Sequence, residues 1–198
     1  MKNLIEEANL LDILGFTIPL PSHFQKRLNE DILTQEFSRK HYLLRPGEIC
    51  RRLYFVCSGF IRAYFIDVNG KECTTWFVGK GDLVISANSF FNQQPSQEYI
   101  QVLKNCKLQS LTWHQINALY AEFHESNLLG RIFIQKYFIN SEERSMFLRI
   151  QQPEERYDKV MSAHPDLDLQ TTQTNIASYL ALSRETLSRI KRKKLSKV

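Results

Sequence analysis

The stretch of sequence that decides the fold is residues 172–194, which read TQTNIASYLALSRETLSRIKRKK. Its first part predicts a helix over Gln173–Leu180, because apolar residues recur three and four positions apart on one face. These residues are Ile176, Ala177 and Leu180. A break at Ala181–Ser183 follows, and a second helix is predicted to begin at Arg184. The stretch therefore predicts a helix-turn-helix.

The predicted second helix has one apolar face and one polar face. Ser183 is a good N-cap, because its hydroxyl can accept a hydrogen bond from an unpaired N–H of the next turn. Leu187 and Ile190, three positions apart, are expected to face inward. The residues expected on the outer face are Arg184, Glu185, Ser188 and Arg189. Arginine can bond bidentately to guanine and glutamate can accept from cytosine, so this face suits the reading of base edges.

Positive charge is concentrated at the same end of the chain. The net charge is +5, and residues 184–198 hold seven Lys or Arg and one Glu. Residues suited to contact DNA phosphates, which set register rather than sequence preference, accompany this cluster. They are Thr172, Ser183, Thr186, Lys191 and Arg192. From charge alone, the cluster is equally typical of polyanion binding and of a solvated basic tail.

Residues 37–112 alternate between short apolar runs and turn signals, a pattern typical of an antiparallel barrel or sandwich. The predicted strands are Phe37–Leu44, Leu53–Cys57, Phe60–Ile66, Glu72–Val78, Tyr99–Leu103 and Lys107–Leu111. The predicted turns are at Pro46-Gly47, Ser58-Gly59, Asn69-Gly70 and Gly79-Lys80-Gly81-Asp82. Asn69-Gly70 predicts a two-residue hairpin turn in which both residues have positive φ.

The pattern becomes helical after Thr112, with helices predicted over Trp113–Phe123, over about residues 127–150 and over residues 154–163. Pro153 suits the first turn of the last of these and favours a domain boundary beside it. The long helix carries residues spaced like a coiled-coil seam, interrupted by two polar residues. They are Leu128, Ile132, Gln135, Ile139, Glu142 and Met146. The helix is expected either to join two copies of the chain or to pack on its own barrel.

Ser183–Ile190, SRETLSRI, resembles the recognition helix of the cyclic-AMP receptor protein/Fnr family of bacterial transcription regulators, and Ile176–Leu180 resembles that family's preceding helix. Residues 37–112 resemble its cyclic-nucleotide-binding-type barrel, and the long helix resembles its dimer helix. The barrel motifs that carry this resemblance are Arg45-Pro46-Gly47-Glu48, Cys57-Ser58-Gly59 and Gly81-Asp82-Leu83.

The resemblance implies an α+β fold with an antiparallel β-barrel (a double-stranded β-helix), a long dimerisation helix and a C-terminal helix-turn-helix. The expected regions are 1–126 for the effector domain, 127–152 for the dimerisation helix and hinge, and 153–198 for DNA binding. It also implies a cytoplasmic homodimer that binds an inverted repeat in double-stranded DNA. The further partners it implies are RNA polymerase and a small-molecule effector of unknown identity.

Two departures from the family pattern concern the helix-turn-helix. Ala181 stands where the family commonly has Gly, and positive φ costs a residue with a Cβ about 1 kcal/mol. Only eight residues follow Ile190, fewer than the about ten that a two-stranded wing requires. We therefore expect a helix-turn-helix without a full wing, whose phosphate contacts the basic tail replaces.

The barrel departs from the family where nucleotide-binding members have a Glu and an Arg. The aligned residues here are Ser86 and Ser96, with Gln97 after the latter, so the cation that would pair with a cyclic phosphate is missing. We therefore expect that cyclic AMP is not the effector. A neutral polar pocket would be lined by Ser86, Asn88, Ser96, Gln97 and Tyr99. The alternative is a collapsed pocket filled by Phe77, Phe90 and Phe91.

Other classes of protein are disfavoured. The four cysteines form no CxxC pair and His41 is the one histidine among the predicted strands, so neither a metal site nor a cofactor is expected. We find no hydrolase, metalloprotease or phosphate-loop motif, which argues against an enzyme. No apolar stretch reaches the roughly 18 residues of a membrane span, and the N-terminus does not read as a signal peptide. The alternative function is a ligand-binding or protein-interaction module whose DNA-binding segment is vestigial.

Overall fold

A computed structural model describes residues 8–196, which combine one antiparallel sheet with a predominantly helical C-terminal half. The strands are β1 (Leu33–Phe37), β2 (Tyr42–Leu44), β3 (Arg52–Ile66), β4 (Glu72–Gly79), β5 (Leu83–Val84) and β6 (Tyr99–Thr112). The helices are α1 (Leu10–Thr17), α2 (Ser22–Asp31), α3 (Ala87–Asn92), α4 (Trp113–Glu122), α5 (His124–Leu148), α6 (Pro153–Ala163), α7 (Leu167–Gln170), α8 (Gln173–Tyr179) and α9 (Arg184–Leu195).

The sheet has the order β1-β6-β3-β4, with β2 also paired to β6 and β5 also paired to β3. Antiparallel pairing sets Leu33 opposite Ser110 and Tyr54 opposite Val84. The predicted combination of helices and antiparallel strands is confirmed. The hydrogen-bonded path in the described residues ends at β1 and β4, so the sheet does not close into a ring.

The described chain divides into two compact units. The first comprises residues 8–63 and Phe77–Ile134, and its core joins the two N-terminal helices to the sheet and to α4 and α5. The buried members of this core are Leu10, Leu14, Phe24, Leu28, Phe55, Cys57, Leu111, Leu119 and Leu129. Thr112 and Gln115 form a reciprocal capping box at the start of α4, which ends β6 sharply and begins the helix.

The second unit comprises Tyr64–Trp76 and residues 135–196, so it includes the tip of the β3–β4 hairpin. Tyr64 and Thr74 are buried in the hairpin, and the buried apolar residues of the helical part come from α6 to α9 and from the turn between α8 and α9. They are Val160, Leu167, Ile176, Ala177, Leu180, Leu182, Leu187 and Ile190. None of the helices in the described part of the chain combines the length and the apolarity that a bilayer crossing requires.

The predicted turn at Ser58-Gly59 is wrong, because β3 runs through it without interruption. Gly59 has φ +103°, and a Cβ there would lie 2.5 Å from the backbone oxygen of Asn105 and 2.4 Å from the Sγ of Cys106. The glycine therefore allows two strands to approach closely instead of ending one. The predicted strand over Phe37–Leu44 is in fact two strands, β1 and β2, separated at Lys40, which has φ +74°.

The hairpin predicted at Asn69-Gly70 is present, but its turn differs from the predicted type. Five residues, Asp67–Lys71, connect β3 to β4, and Gly70 has positive φ (+77°) whereas Asn69 does not. The Asp67 carboxylate accepts hydrogen bonds from the N–H groups of Asn69 and Lys71, both at 2.9 Å. This side chain organises a longer loop, so the left-handed conformation is needed at one residue only.

Helices α4, α5, α6, α8 and α9 lie within a few residues of their predicted bounds. At the N-terminal side of the described residues, α1 begins at Leu10 and ends at Thr17. The periodicity did not reveal α2, α3 or α7, of which α3 and α7 have only six and four residues.

We predict that Gly59→Ala lowers the free energy of unfolding by about 3 kcal/mol, since a methyl group would combine positive-φ strain with a backbone clash. Gly70→Ala is the matched control, because Gly70 also has positive φ but has nothing within 4 Å of the added Cβ. The control should lose about 1 kcal/mol. Chemical denaturation measures both, and equal losses would show that the close approach of the strands at Gly59 has no energetic effect.

Candidate nucleic-acid interface and effector pocket

The predicted helix-turn-helix is formed by α8 and α9, and hydroxyl groups cap the start of both helices. The Thr172 hydroxyl accepts a hydrogen bond from the N–H of Asn175 at 3.2 Å. The Ser183 hydroxyl accepts one from the N–H of Thr186 at 3.1 Å, which confirms the predicted N-cap. The hydroxyl oxygens of Ser183 and Thr186 also lie 3.1 Å apart, so these side chains fix the first turn of α9.

The turn between the helices retains a left-handed residue although it lacks glycine. Ala181 has φ +53°, and the N–H of Leu182 bonds to the carbonyl of Ala177 at 2.9 Å. Leu180 and Leu182, on either side, are both buried. On the inner face of α9, Leu187 and Ile190 are buried as predicted, so the register of the helix is fixed.

The predicted outer face of α9 is exposed along its first two turns. Arg184, Glu185, Ser188 and Arg189 are all exposed, and the i, i+4 spacing places them on one side of the helix. Within the described residues, neither guanidinium forms an ion pair. A hydrogen bond from its own N–H, and then one from Ser183, hold the pKa of Glu185 below its usual value. The carboxylate is therefore available as an acceptor at neutral pH.

The lysines of α9 are held by acidic residues of α6 and α7, which the sequence did not predict. The Lys191 ammonium donates to both carboxylate oxygens of Asp168, at 2.6 and 2.7 Å. Lys194 pairs with Asp158 at 2.6 Å, and Glu154 lies 3.5 Å from the Lys193 ammonium. The acidic partners precede the lysines by 23 to 39 residues, so local spacing carried no signal of these pairs.

Arg192, in contrast, is exposed, and α9 ends at Leu195. No strand follows α9 up to Ser196, the last described residue. The last part of the tail expected to replace a wing, residues 197 and 198, lies outside the described residues.

The hairpin tip contacts α8 within the second unit. The Ser178 hydroxyl accepts a hydrogen bond from the N–H of Thr74 at 2.8 Å and donates to the carbonyl of Glu72 at 2.7 Å. Through these two bonds, the Ser178 side chain bonds to the backbone of β4 much as a neighbouring strand would. It attaches the first helix of the helix-turn-helix to the hairpin.

Two of the five residues expected to line an effector pocket meet in the first unit. Ser86 and Ser96 are buried, and their hydroxyl oxygens lie 3.2 Å apart. Ser86 also donates to the Glu98 carboxylate at 3.0 Å, and the Ser96 hydroxyl accepts from the Glu98 N–H at 2.9 Å. The sequence reasoning did not single out Glu98, which joins the two serines into one network.

Of the other three residues, two are exposed and one packs against a tyrosine ring. Asn88 is exposed and its side-chain carbonyl accepts a hydrogen bond from Asn92, and Gln97 is exposed as well. The Tyr99 ring packs edge-on against Tyr42, with the ring centroids 5.7 Å apart. Of the three phenylalanines proposed to fill the pocket, Phe90 is buried, Phe77 is half-buried and Phe91 is exposed.

The network has consequences for the chemistry of a bound anion. Ser86 and Ser96, which the resemblance aligns with the family's Glu and Arg, both bond to Glu98. A cyclic phosphate placed beside Glu98 would meet like charge, and the serine donor that could bond to it is already bonded to the carboxylate. Within residues 8–196, no group of three or more His, Cys, Asp or Glu side chains is placed to hold a metal ion.

Comparisons with known proteins support these assignments of fold. Residues 34–123 match the family model of the cyclic nucleotide-binding domain. A candidate Crp/Fnr-family transcriptional regulator from Eubacterium rectale superposes with a TM-score of 0.75 at 16% identity, covering 94% of this chain and 88% of that one. FixK2 from Bradyrhizobium japonicum superposes with a TM-score of 0.73 at 14% identity, covering 84% and 85%. A CooA mutant from Carboxydothermus hydrogenoformans gives 0.70 at 18% identity, covering 94% and 84%. No curated protein sequence matches the chain.

The fold is thus similar to that of the Crp/Fnr-family structure from Eubacterium rectale, and residues 34–123 match the model of the cyclic nucleotide-binding domain. The resemblance inferred from the recognition-helix sequence is confirmed at this level.

We predict that millimolar cyclic AMP leaves the melting temperature of the purified protein unchanged. A ligand present at a hundred times its Kd would add about 2.7 kcal/mol of stability, so binding would be easy to detect. Thermal denaturation with and without the nucleotide measures this, with a cyclic-AMP-binding protein of the same fold as the positive control. A rise in melting temperature would contradict the argument from Glu98.

Proposed function

We propose that this chain is a DNA-binding transcription regulator of the Crp/Fnr type, acting as a homodimer on an inverted-repeat site under an effector other than cyclic AMP. The observation that carries the proposal is the exposed outer face of α9, Arg184 to Arg189, on a capped and buried helix-turn-helix. In this proposal residues 1–126 form the effector domain, 127–152 the dimerisation helix and hinge, and 153–198 the DNA-binding domain.

Base recognition is assigned to the first two turns of α9. In a helix-turn-helix the N-terminal part of the second helix enters the major groove. Arg184 and Arg189 supply donors suited to guanine, and Glu185 supplies an acceptor suited to cytosine. Ser188 lies one turn after Arg184 and can donate to or accept from either. The absence of ion pairs at both arginines, within the described residues, supports this role because no internal partner has to be displaced.

Phosphate contacts are assigned to five residues around this face, of which two are charged. The five residues are Thr172, Ser183, Thr186, Lys191 and Arg192. An ammonium has three protons, so Lys191 retains one donor for a phosphate while the other two bond to Asp168. Asp168 offsets most of that charge, and we therefore expect Arg192 to contribute more to the salt dependence of binding.

Dimerisation is assigned to the exposed apolar stripe of α5. Ile139 is 56% exposed and Met146 is 67% exposed, and their spacing of seven places them on the same face of the helix. Phe138, beside Ile139, is 64% exposed. Large apolar side chains at this exposure along one helix favour contact with a partner surface. A second copy of the chain would place two reading helices about one helical turn of DNA, roughly 34 Å, apart. RNA polymerase and a small-molecule effector are the further partners proposed.

Arg184→Ala and Glu185→Ala should each lower affinity for the preferred DNA site by about 1–3 kcal/mol and affect random DNA little. The preferred site is first selected from a random DNA pool, and fluorescence anisotropy then measures both affinities at several salt concentrations. Arg192→Ala is the control: it should weaken both sequences alike and reduce the slope of log K against log[salt] by about 0.9.

Equal losses on both DNAs for the Arg184 and Glu185 variants would show that these residues do not read bases. Failure of the wild-type protein to select any sequence would instead favour the alternative function, an interaction module with a vestigial DNA-binding segment.

Ile139→Glu should convert the homodimer to a monomer, because a charge on the apolar stripe of α5 would lose its solvation in the interface. Asn140→Glu is the matched control, since it adds the same charge one position away, at an exposed residue turned about 100° from the stripe. Analytical ultracentrifugation distinguishes the two states. A dimer that survives Ile139→Glu but not Asn140→Glu would place the interface on a different face of α5.

A further inference from the structure

The C-terminal end of α8 exposes backbone carbonyls that have no N–H partner in the helix, as every helix end does. Two arginines from other helices of the same unit occupy these positions. Nη2 of Arg144, on α5, donates to the carbonyl of Tyr179 at 2.6 Å. Nε of Arg156, on α6, donates to the carbonyl of Leu180 at 2.9 Å. Both acceptors immediately precede Ala181, the left-handed residue of the turn.

Arg144 makes further contacts that fix its direction. Its guanidinium carbon lies 3.9 Å from the ring centroid of Tyr179 and 5.0 Å from that of Phe147. Nη2 also lies 3.3 Å from the carbonyl of Thr74 in the hairpin. Burial lowers the pKa of Arg144, although an arginine remains charged at any physiological pH. Arg144 of α5 thus contacts α8 in two ways, through a hydrogen bond to its backbone and through the flat face of the guanidinium.

Arg156 connects the same turn to the end of α5. Besides Leu180, it donates through Nη1 to the carbonyl of Ile150, two residues after α5 ends. Ile150 precedes Pro153, where α6 begins. The segment that leaves the long helix and the turn that precedes α9 are therefore bonded to the same guanidinium.

We propose that Arg144 and Arg156 are positioning residues that hold the turn before the reading helix in its left-handed conformation and couple its orientation to α5. The inference rests on the proposed function, because the consequence it assigns to the two arginines is selective DNA binding. Left-handed backbone at a residue with a Cβ persists where the surroundings over-determine it, and two charge-assisted bonds to the preceding carbonyls do so here. Neither arginine touches DNA in this scheme.

The chemistry of the contacts specifies arginine rather than lysine. Arg144 needs a planar group to stack on Tyr179 and in-plane donors to reach its carbonyl. Arg156 needs two donors that reach two carbonyls in fixed directions. A lysine ammonium keeps the charge, but it has neither a planar group for stacking nor two donors in fixed directions. Arg→Lys variants therefore remove the positioning contacts while they leave the net charge of the surface unchanged.

The test compares Arg144→Lys and Arg156→Lys with Arg149→Lys, the last an exposed arginine just beyond the end of α5. The ratio of affinity for the selected site to affinity for random DNA is measured well below the unfolding temperature. We expect Arg144→Lys and Arg156→Lys each to lower this ratio about tenfold with little effect on random DNA, and Arg149→Lys to leave it unchanged. An unchanged ratio in the first two variants, or equal loss on both DNAs, overturns the inference.

A second measurement needs no DNA. Hydrogen–deuterium exchange of residues 177–186 reports the bond from the Leu182 N–H to the Ala177 carbonyl. We expect faster exchange in the Arg144 and Arg156 variants than in the wild type and in Arg149→Lys, and equal exchange in all four proteins overturns the positioning role. Exchange can change as expected while the wild type selects no DNA sequence. In that case the proposed function fails, and the arginines position the turn without a role in DNA recognition. This outcome also overturns the inference as stated.

Discussion

The orientation of the outer face of α9 depends on one constraint, the left-handed backbone at Ala181, because that residue sets the direction in which α9 leaves α8. The conformation costs about 1 kcal/mol for a residue with a Cβ. Leu180 and Leu182 are 0% and 7% exposed, and burying a leucine contributes about 1.5–3 kcal/mol. Burial of the two neighbours therefore outweighs the local strain. Glycine is favoured at such a turn, but the buried leucines and the arginine bonds to the two preceding carbonyls together make alanine sufficient.

The structure shows which positive side chains of α9 are paired with carboxylates and which are exposed, whereas the sequence gives only their number. Lys191 and Lys194 lie 2.6 Å from carboxylates of α7 and α6, whereas Arg184, Arg189 and Arg192 are exposed. The pairing leaves arginines as the dominant positive groups on the outer side of α9. An arginine offers a fixed fork of donors and weaker hydration than an ammonium. The surface is consequently better suited to directed contacts than to diffuse attraction of a polyanion.

Local signals predicted what local interactions determine. The N-cap at Ser183 and the inward Leu187 and Ile190 follow from hydroxyl chemistry and helical period, and both were predicted correctly. Gly59 was misread because a turn and a close strand contact both select glycine, and Asn105 and Cys106, which decide between them, lie some forty-six residues away. Glu98 and the acidic partners of the lysines were missed for the same reason. Their roles exist only after the chain has folded.

The hydrogen bonds among Ser86, Ser96 and Glu98 determine which ligand groups could bind beside them. Ser86 and Ser96 bond to each other and to Glu98, so their polar atoms are already satisfied by the protein. A ligand that entered would have to replace these bonds, because a buried polar group left unpaired costs about 1–3 kcal/mol. A carboxylate accepts hydrogen bonds only, so the replacement must present a donor to Glu98. A cyclic phosphate presents acceptors and negative charge at that point. We therefore expect a ligand at this network to present a hydrogen-bond donor, which a phosphate group does not.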